Sequence, residues 1–548
     1  MTPRKKILVA PKAEFDAQAP LFRLLSRLYP ADFAADSLDS AEGDGTIVWA
    51  KSNTEVREVT ARNLPALVVA PPQRPRIPVP HGRVRFGSGF WLERCFRHQT
   101  LNEDGIREFG PLTLANGEEP VCYLNGRPYW TSRQEGSTRV CTVALGPPYL
   151  TEAHTLYHHF NRRTWLRLLP FLHFVKRLTA ADDWSPPPLR ACVMFDDPNL
   201  HWDTYGHIDF RSLAAHAETC NYHAAFAMIP ADAWYVRPRT AQLFREQASR
   251  LSLLIHGNDH TPAEFGNGGT MDEHARALAQ ALRRVDRFER RSGIAVSRVM
   301  APPHGAFRAD AGDPMLRLGY EAVCVSRSSL KNWNEDRRWP QSFGHDMVEF
   351  LGEGFPVIPR QAMGPGQEDS YRLAAFLDQP IIPHGHHGDC ADGLELITRV
   401  ADAINGIGAV TWSDMTTLSR TNYQTRRLGD TLHVRMLSRR VTLPAPDPGI
   451  RSLVAERPWL PEDNPVREAL ICRQGGEVSD ASVAARVSDD IPLHGPGAIT
   501  LNSPTPRPID PRYVEPPRRR VWSVVRRVLS ESRDRLAPFT PIRARRGA

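Results

Sequence analysis

No run of about 20 apolar residues occurs anywhere in the 548-residue chain, so no transmembrane helix is expected. No secretory leader is expected either. Arg4, Lys5 and Lys6 precede only a short apolar patch that ends at Pro11 and Lys12, which reads as a first strand. The eight Cys form no CxxC pair, and several lie in apolar runs. Buried free thiols in a reducing compartment follow, which predicts a cytoplasmic protein. No Gly-rich phosphate loop follows the first strand. Pro11-Lys12-Ala13-Glu14 stands there, so a nucleotide site is not expected.

Charge is also scarce outside one place. The net charge is +7, but the ten Arg between Pro516 and Ala548, set against Glu531 and Asp534, give that tail +8 by itself. The rest is nearly neutral, so no nucleic-acid-binding body is expected. Hydrophobic residues at 41% and charged residues at 24% are ordinary for globular protein, and the length allows two to four domains.

Residues 1–150 read as an N-terminal α/β domain, with strands at Ile7–Ala10, Thr46–Ala50 and Leu64–Ala70 and a helix at Leu21–Leu28. Phe86-Gly87-Ser88-Gly89-Phe90-Trp91 is a packed bend or a groove lining. Residues 151–188 read as a long connecting helix, Leu156–Leu178, and a Pro-rich linker. Over 189–423 strands alternate with helices. Strands are predicted at 190–195, 223–229, 251–255, 296–301, 320–325, 355–359, 379–383 and 409–412, which fits an α/β fold with a central distorted (β/α)7–8 barrel. Residues 424–475 read as a small β region, and 476–548 as a Pro/Arg-rich tail. Val521, Val524, Val525, Val528 and Leu529 share one face of a basic helix there, suited to an anionic membrane surface or a protein partner.

The chemistry concentrates at three strand ends. Ala191 to Phe195 is apolar and stops at Asp196-Asp197-Pro198. Two carboxylates at the mouth of a core strand need compensation, and a metal ion provides it. His256 and His260, after the apolar run 251–255, have a spacing that brings two imidazoles to one face. Together with a carboxylate they make a facial triad for Zn²⁺ or a similar divalent ion. His384, His386 and His387 follow a third apolar run.

At these residues the barrel resembles the polysaccharide deacetylase family, the NodB-homology domain, over about 188–420. Met194-Phe195-Asp196-Asp197 is similar to its T-F-D-D motif, and His256 and His260 to its H-x-x-x-H. Ala301-Pro302-Pro303-His304-Gly305 is similar to R-P-P-Y-G, and Ile382-Pro383-His384 to L-x-H. The resemblance implies that Asp197, His256 and His260 hold the metal, most readily zinc. Asp196 would then be the general base, the region of His304 would stabilise the oxyanion, and His384 would protonate the leaving amine. His386 and His387 are alternatives for that acid or for an added ligand. Ala301 departs from the motif Arg that steadies the base, and neither Arg298 nor Arg308 takes its place in the sequence. Trp202, Tyr205, Trp234 and Tyr235 either stack on sugar or pack their loops, and His201 and His207 are loop residues.

The expected function is metal-dependent removal of an N-acetyl or related N-acyl group from an amino sugar or glycan precursor in surface-polysaccharide biosynthesis. The tail would make at most peripheral contact with the inner face of the membrane or with a partner protein. Hydrolysis of another C–N amide, or an inactive glycan-binding scaffold, are the alternatives.

Overall fold

The computed structural model describes residues 4–35, 42–61, 63–461, 468–475, 477–518 and 521–539. The chain divides into two compact units, Met1–Trp184 with Arg338–Asp346, and Ser185–Arg337 with Met347–Ala548.

In the first unit, strands Lys5–Ala10, Ala31–Ala35, Gly45–Trp49 and Ala66–Val69 pair in parallel. The last of these also pairs in parallel with Thr138–Val143, from which an antiparallel meander completes a nine-stranded sheet. Phe86 of the Gly-aromatic segment is buried, stacked on Phe96 and Trp165 at 5.0 and 5.8 Å, so this segment starts as a packed bend. Phe90 at its tip is 90% exposed. The single helix expected over Leu156–Leu178 is two, Leu156–His159 and Leu169–Thr179. Asn161 breaks it by donating from Nδ2 to the carbonyls of Tyr157 and His158, and Pro170 restarts it at a position where no backbone N–H is needed.

The second unit is built on seven parallel strands: β1 (Val193–Asp196), β2 (Ala224–Met228), β3 (Leu251–His256), β4 (Val296–Ala301), β5 (Ala322–Val325), β6 (Phe355–Pro359) and β7 (Pro383–Gly385). They are ordered β6-β5-β4-β3-β2-β1-β7. Two residues beyond β6, Gln361–Ala362 pairs with β7, so one segment, residues 355–362, meets both ends of the ladder. Gln361–Ala362, at the β7 edge, is an eighth parallel strand of this sheet but only two residues long, and Glu349–Leu351 pairs antiparallel at the β6 edge. The strand expected at 409–412 is Thr411–Trp412, which pairs with Arg190–Ala191 upstream of β1 and away from the strand ends that carry the site.

Side chains of a strand alternate between faces. On these strands one face carries Met194, Ala225, Ala227, Leu254, Val299, Ala301, Ala322, Cys324, Ile358 and Ile382, which form a single buried cluster. The small residues among them let the ladder curl tightly. The other face packs on helices: Phe195 stacks on Phe226, and Phe226 meets Phe210 and Phe244. After Arg420 two four-stranded sheets continue to Asn502, well beyond the expected end of the β region at 475. They share a buried core that includes Val434, Val441, Leu470, Cys472 and Leu501. All eight Cys are free, and all but Cys220 are buried. Among the described residues no helix is long and apolar enough to cross a membrane.

Candidate metal and hydrolytic centre

The candidate site continues the inward face of the strands by one more alternate position. Two residues past Met194 stands Asp196, past Leu254 stands His256, past Ile358 stands Arg360, and past Ile382 stands His384. The same period that fills the apolar interior therefore delivers a tier of polar groups above it. Asp196, Asp197, His256, His260, His304, His384 and His386 all line one cavity of about 540 Å³.

Asp197 would point to the opposite face on a regular strand. Its φ of 83° turns the chain, and its Oδ1 lies 3.3 Å from His256 Nε2 and 3.0 Å from His260 Nε2. His260 and His304 also take positive φ, at 54° and 58°, and their rings meet at 4.9 Å. Such backbone costs of order 1–3 kcal/mol per residue and gathers where a site needs it. The loop between His256 and His260 is held from below. Glu264 accepts from the N–H groups of Asn258 and Asp259 at 3.0 and 2.9 Å, and burial pushes its pKa up to about 7. Arg284 of helix α1 (Met271–Ser292) bonds Asp259 at 2.6 Å.

The donors suit a divalent cation. His256 Nδ1–H donates to the Ala301 carbonyl at 2.8 Å and its Nε2 faces Asp197; burial lowers the ring's pKa, but Asp196 and Asp197 outweigh it and raise it. Asp197 Oδ1 is buried and receives no hydrogen bond. A carboxylate facing two imidazole nitrogens at these distances calls for a positive charge between them, carried by a proton or a metal cation. Ligands about 2.0–2.1 Å from a tetrahedral zinc lie about 3.3 Å apart, which matches the two separations at Asp197.

Asp196 is compensated differently. Both its oxygens accept from Arg360 Nη1 at 3.0 Å, and both residues are buried. Burial pushes the Asp196 carboxyl up, but Arg360, His256 and His384 outweigh it and hold it below the ordinary carboxylate range. Arg360 thus fills the place left by Ala301, reaching the same carboxylate from one residue past β6. Arg298 instead pairs with Asp286 and Glu289, and Arg308 with Asp310 and Asp336. The signal for Arg360 was a lone charge closing the apolar run 355–359. His384 donates Nδ1–H to the Gln361 carbonyl at 2.7 Å, leaving Nε2 free. Burial and then Arg360 lower its pKa to about 4.

The remaining aromatic and His residues separate clearly. His387 does not line the cavity, but stacks near His207 and lies 3.6 Å from Asp534. Trp202 stands outside the lining, more than half exposed, between Arg237 and Arg535. Trp234 and Tyr235 pack on His201.

The tail reaches this site. Ile509 N–H bonds the Arg317 carbonyl, and Arg283 of α1 grips the carbonyls of Pro511 and Val514. This strap leads to helix α2 (Val521–Leu536), which places Arg527, Ser530, Arg533 and Asp534 in the cavity wall. Arg527 pairs with buried Asp232 at 2.6 Å, Glu531 meets His201 at 3.1 Å, and Tyr205 donates to Asp534 at 3.0 Å. The charged side of the helix is therefore spent on this unit, while Val525, Val528 and Leu529 stay exposed. The side chains of Val521 and Val524 lie outside the described residues.

No protein-family model matches the chain, and no curated protein matches it. Solved structures do. A structure of Agd3, a novel carbohydrate deacetylase, aligns at TM-score 0.46 and 10% identity over 92% of this chain and 99% of that one. The family 4 carbohydrate esterase from Streptomyces lividans, in complex with acetate, aligns at TM-score 0.27 and 14% identity over 43% and 96%. A CE4 esterase from Streptococcus mutans aligns at 0.23 and 13% over 41% and 85%. The chain resembles carbohydrate deacetylases. With TM-scores this low, the chemistry rests on the residues themselves.

Two outcomes are expected. Arg360→Met breaks a buried ion pair on one side, which costs about 3–5 kcal/mol. It should also let burial push Asp196 up, moving the acid limb of the pH–rate profile to higher pH, while Arg360→Lys keeps part of both effects. Urea denaturation and the profile check this, and a Met variant with parental values would remove Arg360 as a positioning residue. Deleting residues 516–548 takes away one wall of the cavity. KM should rise roughly tenfold or more, a loss of about 1.4 kcal/mol in binding, with metal stoichiometry unchanged. A parental KM would show that α2 covers the site without contributing to it.

Proposed function

We propose that the chain is a metal-dependent hydrolase that removes an N-acetyl or related N-acyl group from an amino sugar or glycan precursor. The observation that carries this reading is the division of labour in one cavity. Three lone-pair donors converge at Asp197, His256 and His260, beside an ionised carboxylate, Asp196, and an imidazole, His384. A divalent cation there, zinc first, would supply a Lewis acid for the amide carbonyl and lower the pKa of the attacking water toward 7.

The chain's own groups do the rest. Asp196 takes a proton from water as its oxygen bonds the carbonyl carbon. The carbonyl electrons move onto oxygen, where a backbone N–H near His304 is the expected donor. As those electrons return, the C–N bond breaks and its pair stays on nitrogen. His384 Nε2 delivers the proton, giving a carboxylic acid and a free amine. Pocket walls of Ser326, Ser329 and Arg533 offer hydrogen bonds that suit a hydroxyl-rich substrate.

One observation favours a second reading, a glycan-binding protein without turnover. The low proton affinity of His384 works against its role as an acid at neutral pH. Hydrolysis of another C–N amide needs only a different pocket fit. The outward apolar edge of α2, with Val528 and Leu529 among Arg residues, would support peripheral contact with an anionic membrane, which co-sedimentation of full-length and truncated protein with anionic vesicles tests.

Paired substitutions test the main reading. Asp196→Asn should keep its metal and lower kcat by roughly 10²–10⁴-fold, while Asp197→Ala should lose both metal and activity. Metal analysis and acetate release from N-acetylated sugars, measured on the same preparations, check this. A parent that binds no metal and releases no acetate would overturn it in favour of the binding protein. The pH dependence follows from His384. An acid that must be protonated, with a pKa of about 4, makes kcat/KM fall about tenfold per pH unit as pH rises above that value. A profile flat between about pH 5 and 7 would pass proton delivery to another group, with His386 the nearest candidate in the wall.

A further inference from the structure

Three histidines of one short segment converge in the first unit. His154 precedes the four-residue helix Leu156–His159, and His158 and His159 close it. The rings of His154 and His158 stack with centroids 4.5 Å apart and planes 8° from parallel. His159 turns in beside them, 5.0 Å from His154 and 4.8 Å from His158. The three rings therefore stand at the corners of a nearly equilateral triangle. The spacing repeats that of His256 and His260, whose centroids are 5.0 Å apart.

The nitrogens converge as the rings do. One ring nitrogen of each residue lies within 4.8 Å of the other two. His159 Nε2 and His154 Nδ1 are 3.2 Å apart, close to the separation of about 3.3 Å for two nitrogens on one tetrahedral zinc. The segment is also braced before any ligand arrives. Leu156 and Tyr157 donate their N–H groups to the carbonyls of Gln341 and Phe343, and Asn161 caps the Tyr157 carbonyl at 2.8 Å.

We propose that His154, His158 and His159 form a second metal site, for a divalent cation of the zinc, copper or nickel class. Three imidazoles and no carboxylate select such borderline ions over magnesium or calcium, which prefer oxygen. His158 is exposed, so the fourth position opens to solvent. The site is separate from the hydrolytic centre and does not depend on the deacetylase reading. Its cation would fasten the segment that holds residues 341–343 to this unit.

Zinc binding to chelator-stripped, full-length protein tests the proposal. The parent should take up two equivalents of Zn²⁺, and His158→Ala and Asp197→Ala one each. The doubly substituted protein should take up none. Zn²⁺ should also raise the Tm of Asp197→Ala but not of the double variant. Because His158 is exposed, His158→Ala is expected to fold, and His158→Gln is a second variant of the same kind. A His158 variant that still binds two equivalents, or an Asp197→Ala protein that binds none, would overturn the proposal. A parent that binds one equivalent, kept in Asp197→Ala and lost in His158→Ala, would support this site and count against the hydrolytic one.

Discussion

Two neighbouring carboxylates at the end of an apolar strand set the terms for the second unit. Asp196 is 3% exposed, and an uncompensated charge at that depth would cost several kcal/mol. The structure answers each carboxylate with different chemistry. Asp196 receives a fixed guanidinium. Asp197, turned aside by its backbone, receives two imidazoles. The asymmetry gives otherwise similar groups separate surroundings, and the proposed division into base and metal ligand rests on it.

The positions of the answering groups follow from the geometry of a curled parallel ladder. Residues two apart on a strand share a face, so an apolar layer and a polar layer can follow one another along each strand. Met194 and Asp196, Leu254 and His256, Ile358 and Arg360, and Ile382 and His384 repeat that step on four strands. The polar groups thus stand on rigid elements directly above a packed interior, and only the turn residues Asp197, His260 and His304 depart from regular backbone. Preorganisation of this kind suits the amide hydrolysis proposed above.

Much of this arrangement was legible in the sequence. Apolar runs interrupted by helical spacing located seven parallel strands, and the strand-end residues Asp196, Asp197, His256, His260 and His384 do share one cavity. Arg360 was harder to see because its role depends on curvature. It lies one residue past β6, far from Asp196 along the chain, and only the pairing of residues 355–362 with both β5 and β7 brings it across. The helix break at Asn161 is local side-chain bonding that outweighs apolar periodicity. The docking of the tail was hidden for another reason. Its Arg residues read as a solvated or membrane-seeking face, whereas Asp232, Glu531 and His201 make it an internal surface. Of the two readings open for Trp202, loop packing is the one the contacts favour: Arg237 and Arg535 engage its ring, which does not line the cavity.

The strap between Asn502 and α2 has a consequence for how the molecule ages. It is a mostly irregular segment with many exposed residues, held to the body by a few contacts from Arg283 and Arg317. A protease that nicks it would leave both folded units and every residue of the polar tier in place, yet would free one wall of the reaction chamber to diffuse away. Preparations clipped there would look intact by size and by spectroscopy of the core while differing in substrate handling. Lot-to-lot variation in apparent specificity would then reflect the length of the polypeptide and not its folding.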